Sequence, residues 1–319
     1  MQTFWYIVRR LLQAIFVVFV VTVVVFCLLR ALPGGPARGI LGAQATAAQI
    51  AEFNRQQGLD QPLFQQYFMY LGTLIHGNLG TSYTLNTPVA TLIAQRLPKT
   101  LILTIMSTIL ALVIAIPLGM WQSWRRGRAA DYVTTTVALV LYSTPVFFLG
   151  ILLIMLFSQD IPLLSSQAPQ GDGIAVIFEN PAAMVLPVVT GAAGTLAVFS
   201  RYMRSATVEN LQEDYVRTAR AVGTPSRAIL LRHVLRNSLT PVVAMLGYYI
   251  PVIFGGSLVV EQLFNFPGMG LLFWNAAQSS DFPVLLGCVL VISIATVCGT
   301  FLADIAQLLI DPRVKGDMK

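Results

Sequence analysis

Long apolar runs separated by polar segments are the main pattern of this chain. Residues 11–29 carry no charge, and their only polar side chains are Gln13 and Thr22. A bilayer core of about 30 Å needs roughly 20 apolar residues in a helix, so this run predicts a first membrane span. The alternative is a cleaved signal peptide, whose apolar core is usually only about 7–15 residues long. No clean A-x-A site follows, and we predict an uncleaved span.

Five further apolar runs predict five further spans. They cover residues 100–123, 135–158, 183–200, 241–260 and 284–310. The fourth run is the weakest, because Pro187, Gly191 and Gly194 dilute its hydrophobicity. Small residues also let helices approach closely, so an interior helix beside a pathway would have this composition. The pattern predicts an all-α polytopic membrane protein with six transmembrane helices.

Composition agrees with membrane residence. The chain is 56% hydrophobic and only 11% charged, whereas soluble domains carry about 25% charged residues. This excludes a cytosolic enzyme, a disordered chain and a disulfide scaffold. Cys27, Cys288 and Cys298 lie in apolar runs without a CxxC pair, which is typical of small core residues.

Lysine and arginine predict the orientation. The cytoplasmic side of a membrane protein carries an excess of these residues. Of the 20 in this chain, most lie in four segments that alternate spans place on one side: Arg9, Arg10, Arg125, Arg126, Arg128, Arg201, Arg204, Arg217, Arg220, Arg227, Arg232, Arg236, Arg313, Lys315 and Lys319. Both termini are therefore predicted to be cytoplasmic. The net charge of +6 reports topology and gives no indication of nucleic-acid binding.

The outer segment from about residue 31 to 98 is too long for a simple turn. Thr46 to Gln49 has the sequence of a capping box. A second amphipathic pattern runs from Leu63 to Leu71, directly after Asp60-Gln61-Pro62. The segment is predicted to be either a small helical cap on the outer bundle surface or a docking surface or plug at an outer mouth.

The cytoplasmic segment from Arg201 to Thr240 combines seven arginines with Glu209, Glu213 and Asp214. Gly223-Thr224-Pro225 interrupts its helical pattern, since glycine suits a helix end and proline a first turn. Two short helices joined at an elbow are predicted. The alternative is a purely topogenic basic loop in contact with anionic lipid.

Catalytic motifs are absent from the sequence. There is no GK dipeptide, and therefore no Walker A loop, and no GxGxxG, HExxH or GxSxG occurs. The two histidines, His76 and His233, lie in different segments. We predict no catalytic residues, no metal site and no cofactor in this chain.

A few residues are candidates for a gate or a helix end. Glu261 ends the fifth predicted span and Asp304 lies in the sixth, and intramembrane carboxylates are functional candidates. A proton-coupled carrier would place such a group nearer the middle of the membrane, so paired structural roles are the other interpretation. Ser143-Thr144-Pro145 predicts a bend that could face a pathway.

An ordered set of motifs resembles a known family, the permease subunits of ABC importers for dipeptides and oligopeptides, in particular the B-type subunit. Two departures occur: Gly35 replaces an acid in the family's LPGDP, and Asn78 stands where Asp is usual. The matching stretches are residues 32–36, 58–63, 76–82, 214–223, 232–237, 260–270 and 311–313.

The resemblance implies a type I ABC permease fold and a set of partners. These are a second homologous permease, two cytoplasmic ATPase subunits that hold ATP and Mg, an extracytoplasmic substrate-binding protein and membrane lipid. It also implies that one stretch is the ATPase coupling helix, although Arg217-Thr218-Ala219 stands where the wider superfamily has Glu-Ala-Ala. The implied coupling residues are Asp214, Tyr215, Val216, Arg217, Ala219, Arg220 and Gly223.

We therefore expect a bacterial inner-membrane permease that forms half of a translocation pathway and is driven by ATP hydrolysis on partners. Residues 1–98 would be the first span with the outer loop, and residues 99–319 the core permease domain. Peptide is the expected substrate, with nickel, glutathione or haem as alternatives. A stand-alone secondary carrier is the competing class of function.

Overall fold

The computed structural model describes residues 2–31, 37–38, 41–42, 44–56, 58–171, 173–255 and 258–310. Within these residues every regular element is helical, and an isolated antiparallel bridge joins Thr81 to Pro88. The predicted motifs at residues 32–36 and 311–313 lie outside the described residues. The longer helices are α1 (Gln2–Ala31), α2 (Ala47–Gln56), α3 (Leu63–Ile75), α4 (Val89–Trp124), α5 (Ala129–Ser143), α6 (Val146–Ile154), α7 (Ala175–Glu179), α8 (Val185–Asn210), α9 (Asp214–Ala221), α10 (Leu235–Gly255), α11 (Leu258–Leu263), α12 (Met269–Gln278) and α13 (Phe282–Ile310).

Four helical stretches are long and apolar enough to cross a membrane. They are Ile7–Leu28, Val89–Trp124, Pro181–Asn210 and Phe282–Ile305, and a bent pair made of α5 and α6 with its π-helical extension raises the number to five. These match predicted spans one, two, four and six, and the bent pair matches the third. The fifth predicted span falls on α10 and α11, with residues 256–257 outside the described part of the chain. The all-helical, multi-span class is confirmed.

The third predicted span is broken rather than continuous. The axes of α5 and of the helix that follows differ by 103°. Thr144 is extended at φ −77° and ψ 125°, and both its N–H and its hydroxyl donate to the Val140 carbonyl, at 2.9 and 2.7 Å. Proline disfavours helical backbone in the residue before it and lacks an N–H itself. The bend expected at Ser143-Thr144-Pro145 is thus present, and it replaces one helix by two.

The fourth span is the most enclosed of the four. Of the apolar 18-residue stretch that could cross the membrane, 61% is buried in this span, whereas 17–33% is buried in the other three. Close helix contact explains this value, because a Cβ at Gly119 of α4 would lie 2.7 Å from the Ser200 carbonyl of α8. A second close approach joins Gly191 of α8 to Ser107. The small residues that weakened the hydropathy of this run place it inside its bundle, as the sequence predicted.

The chain divides into two compact units, which we call the terminal and the central unit. The terminal unit comprises Met1–Thr100, Phe254–Leu258 and Pro267–Lys319, and the central unit comprises Leu101–Ile253 and Val259–Phe266. A buried cluster in the terminal unit joins α4, α12 and α13 through Val89, Met269 and Cys288. The central unit holds the candidate coupling helix.

Candidate coupling site

The predicted coupling segment is a short helix, α9, with a well-formed end. Asp214 lies in its first turn and Arg220 in its last turn, where each charge is stabilised by the helix dipole. Gly223 has φ +80°. Its N–H donates to the Arg220 carbonyl, and the Thr224 N–H donates to the Ala219 carbonyl, both at 3.0 Å. This is a Schellman motif, which stops the helix and starts the elbow.

Backbone conformation, and not space, requires glycine at position 223. Among the described residues no atom lies within 4 Å of the place where a Cβ would be. A side chain would therefore fit, but the left-handed backbone would cost a residue other than glycine about 1–2 kcal/mol. The elbow predicted from Gly223-Thr224-Pro225 is present in the structure.

A small apolar cluster holds α9 on the returning chain. Val216 is fully buried and packs with Ile229 and Val234. Residues 229–234 form a π-helical turn. Positions five apart lie about 140° apart on an α-helix, whereas the wider π turn brings them closer to one side. The π turn therefore lets Ile229 and Val234 pack on Val216 together.

A side-chain hydrogen bond connects the start of α9 to the end of α8. The Tyr215 hydroxyl donates to Oδ1 of Asn210, at 2.8 Å, and Asn210 is the last residue of α8. Tyr215 also packs at the edge of the Val216 cluster. Of the predicted coupling residues, Tyr215 and Val216 thus connect α9 to the rest of the central unit.

Ala219 packs at the edge of the Val216 cluster and Gly223 forms the elbow, whereas Asp214, Arg217 and Arg220 form the outward face of α9. Arg217 and Arg220 are exposed, and Arg217 makes a single 3.3 Å contact with the Asp214 carboxylate. Val222 follows the helix as a strongly exposed apolar side chain. This surface therefore combines two arginines and an aspartate with an apolar end, and it suits a partner groove that offers complementary charges and an apolar part.

An ion pair that the sequence analysis does not predict joins a buried aspartate, Asp131, to a partly exposed arginine, Arg204, which lies ten residues before α9 in the chain. Asp131, near the start of α5, accepts from Nε and Nη2 of Arg204 on α8, both at 2.9 Å. It also accepts from the Gly127 N–H, at 3.1 Å. Two parallel N–H···O bonds make a strong and directional pair. The sequence analysis uses Arg204 only as a topology signal, and the sequence clue to the pair is an acid, Asp131, close after the basic run at residues 125–128.

The end of α8 is tied to the end of α4 as well. The Ser123 hydroxyl donates to the Gly119 carbonyl at 2.7 Å and to the Arg204 carbonyl at 2.9 Å. Together with the ion pair, these contacts connect α4, α5 and α8 around Arg204, which lies ten residues before α9 in the chain. The coupling helix therefore follows a firmly fixed helix end.

The three gate or helix-end candidates occupy different environments. Pro145 begins α6 at the bend, and Glu261 is fully buried in α11, both in the central unit. Asp304 belongs to the terminal unit, where its carboxylate lies 3.1 Å from the Arg10 guanidinium. The candidates are therefore divided between the two units, and Asp304 has a pairing partner on α1.

A second missed carboxylate organises the outer loop of the terminal unit. Asp281 is buried and accepts hydrogen bonds from the hydroxyl of Ser82, from the backbone of Tyr83 and from both the hydroxyl and the N–H of Thr84. Burial raises the pKa of Asp281, but these hydrogen bonds outweigh it and the pKa is lowered overall. Burial, and then the Asp281 charge, raise the pKa of Tyr83 to about 12. The predicted motif at residues 76–82 is thus anchored to the residue before α13.

Comparison with known proteins identifies this architecture. Residues 115–316 match the family described as the binding-protein-dependent transport system inner membrane component, and residues 3–104 match the N-terminal component of the same transport systems. The chain belongs to this family. The resemblance to ABC importer permeases is thereby confirmed, and the protein is a multi-pass protein of the bacterial inner membrane.

Two curated relatives are similar over nearly their whole length. The oligopeptide transport system permease protein AppB of Bacillus subtilis is 36% identical over 312 residues, which cover 97% of this chain and 99% of the relative. The glutathione transport system permease protein GsiC of Escherichia coli K12 is 37% identical over 311 residues, which cover 97% and 98%.

Proposed function

We propose that this chain is the permease subunit of an ATP-driven peptide importer and forms half of its translocation pathway. The observation that carries the proposal is α9 itself: its buried side packs on its own elbow, and its outward side, with Arg217 and Arg220, is exposed. A rigid element of this kind can transmit closure of partner ATPases to the spans.

The proposed topology has six spans with both termini in the cytoplasm. Contacts inside each unit support it, since each joins segments that this topology places on one side. Arg204 meets Asp131 and Arg10 meets Asp304 on the cytoplasmic side, and Asp281 meets Ser82 on the outer side. The broken α5–α6 pair counts as the third span, and α10 with α11 as the fifth.

The proposed partners are a second homologous permease, two ATPase subunits that hold ATP and Mg, and an extracytoplasmic binding protein. The family description supports a binding protein directly. Hydrolysis is assigned to the ATPase subunits, with no catalytic residue in this chain. Peptides are the proposed substrate because the AppB relative is named for oligopeptides, and glutathione, named for GsiC, is itself a small peptide.

Val222→Glu tests the docking surface without disturbing the elbow, because Val222 is exposed. An added carboxylate on the apolar end of α9 should abolish co-purification of the ATPase subunits and ATP-driven peptide uptake. The matched control is Ala129→Glu, an exposed position at the start of α5 where an acid suits the helix dipole. It should retain both properties, and both variants should reach the membrane at the level of the unmodified chain.

Two results would contradict the proposal. If Val222→Glu kept ATPase binding and uptake, α9 would not be the docking element. If vesicles containing this chain alone moved peptide without ATP, the protein would be a stand-alone carrier instead of a subunit of an ATP-driven importer.

A further inference from the structure

The amphipathic helix α3 of the outer loop packs sideways against the first span. The Tyr67 hydroxyl lies 2.9 Å from the Thr22 hydroxyl. The Tyr67 ring also stacks edge-on with Phe26 and with Phe19, at centroid distances of 5.4 and 6.3 Å. The loop helix therefore contacts α1 over about two turns of that helix.

These contacts set the depth of α3. The first span runs from Ile7 to Leu28, 22 residues, or roughly 33 Å of helix, which is close to the thickness of a hydrocarbon core. Thr22 lies six residues before Leu28, and therefore about 9 Å inside the end of the span. Tyr67 contacts Thr22, so the middle of α3 lies below the level at which the span leaves the hydrocarbon.

The side of α3 that does not contact α1 is apolar and uncovered. Phe64, Phe68 and Ile75 lie within about 40° of one another around the helix and are 72%, 53% and 82% exposed. Leu63–Ile75 contains no charged residue. The exposed polar side chains Gln65 and Thr73 lie about 80° and 160° away from this apolar stripe.

We propose that α3 is an interfacial helix embedded in the membrane, with the stripe of Phe64, Phe68 and Ile75 covered by lipid acyl chains. A helix lying in the interface buries its apolar side about 5–10 Å into the acyl boundary, which matches the depth of Tyr67. Water at this depth would leave three large apolar side chains unfavourably exposed. Val20 and Val24 of α1, two residues either side of Thr22, are likewise large apolar side chains that are exposed.

An α3 embedded in lipid gives the outer segment a different role from the predicted cap or plug. A cap above the bundle or a plug at its mouth would place α3 in water or against protein. An embedded α3 instead anchors the loop that leads to the Ser82–Asp281 contact. The proposed topology places α3 in the outer leaflet. The depth of α3 is inferred separately, from its contacts with α1.

Spin labels measure this depth directly. Single cysteines replace Phe64, Gln65, Phe68 or Thr73 in the full chain, with the native thiols removed as Cys27→Ala, Cys288→Ala and Cys298→Ala. Val20→Cys in the first span serves as a lipid reference and Gln56→Cys at the end of α2 as a water reference. Collision rates with oxygen and with a water-soluble nickel chelate are measured in membranes, with and without a co-expressed second permease.

Labels at 64 and 68 should collide with oxygen as often as the label at 20, and should lose the nickel collisions seen at 56. Labels at 65 and 73 should collide with nickel more often than those at 64 and 68. Nickel collisions at 64 and 68 equal to those at 56 would place the stripe in water and overturn the proposal. Low collision rates with both reagents, or rates that fall only when the second permease is present, would show a protein cover and overturn it equally. These readouts do not depend on transport, so they stay separate from the test of the proposed function.

Discussion

Two aspartates of the central unit meet their arginines in opposite ways. Asp131 is almost fully buried and holds Arg204 by two bonds of 2.9 Å from another helix. Asp214 holds Arg217 three residues along the same helix by one contact of 3.3 Å, and these side chains are 93% and 73% exposed. A buried bidentate pair depends on both partners, whereas an exposed pair contributes little to stability.

The two pairs indicate different tasks for neighbouring parts of the central unit. The charges of Asp131 and Arg204 hold α5 and α8 together. Charges on α9 remain open to solvent and can be matched by a partner. A helix that must transmit force needs both properties, a fixed base and an unoccupied outer face.

The largest expected effect comes from removing one member of the buried pair. Asp131→Asn leaves the Arg204 charge without its carboxylate, at a cost of about 3 kcal/mol of folding free energy. We take the lower end of the usual range because Arg204 keeps partial access to solvent. Thermal unfolding of the purified chain in detergent should show a clear drop in midpoint.

The double variant Asp131→Leu with Arg204→Met sharpens this prediction. Replacing both partners by apolar side chains leaves no buried charge, so much of the lost stability should return. If the double variant were less stable than Asp131→Asn, an uncompensated arginine would not be the reason for the loss.

Sequence patterns predicted the helices of this protein better than its contacts. Apolar runs located the spans, and Gly223-Thr224-Pro225 located the elbow, because both depend on local properties of the chain. The Asp131–Arg204 and Ser82–Asp281 contacts join residues 73 and 199 positions apart. No local pattern indicates which distant donors surround an acid, so the sequence does not single out Asp131 or Asp281. Glu261 and Asp304 are candidates in the sequence because they lie in apolar runs.

Asp281 tests whether a buried carboxylate needs a cationic partner. Within the described part of the chain the donors to Asp281 are neutral, in contrast to those of Asp131, and the pKa of Asp281 is lowered. A lowered folded-state pKa stabilises the outer loop above the unfolded value of about 3.9, and this contribution is lost as pH falls below it. Asp281→Asn should cost about 2 kcal/mol at neutral pH.

Protease accessibility of the outer loop provides the measurement for Asp281. In the unmodified chain, cleavage near Ser82 should increase as the outer pH falls below about 4, tested with an acid-active protease. In Asp281→Asn cleavage should be high both at neutral pH and below about pH 4. A variant that kept the same acid-induced increase would show that another group controls the loop.

A smaller effect is expected at the end of the coupling helix. Gly223→Ala places a Cβ in the left-handed region, which costs about 1 kcal/mol, and Gly223→Asn should cost less because asparagine tolerates this conformation better. Uptake should fall in the order Gly, Asn, Ala. Equal uptake for the alanine and asparagine variants would mean that backbone conformation at the elbow does not limit coupling.

The smallest effect on stability is expected at the exposed pair. Arg217→Gln removes one weak contact, and the free energy of unfolding should change by about 0.5 kcal/mol at most. ATPase docking should nevertheless weaken, because Arg217 lies on the outward face of α9, and the loss should shrink at high salt as surface charges are screened. Thermal unfolding and ATPase co-purification at two salt concentrations separate these outcomes, with Arg126→Gln as an exposed control from the loop between α4 and α5. A large loss of stability with unchanged docking would reverse the contrast, since the exposed pair would then fix the fold while another surface met the partner.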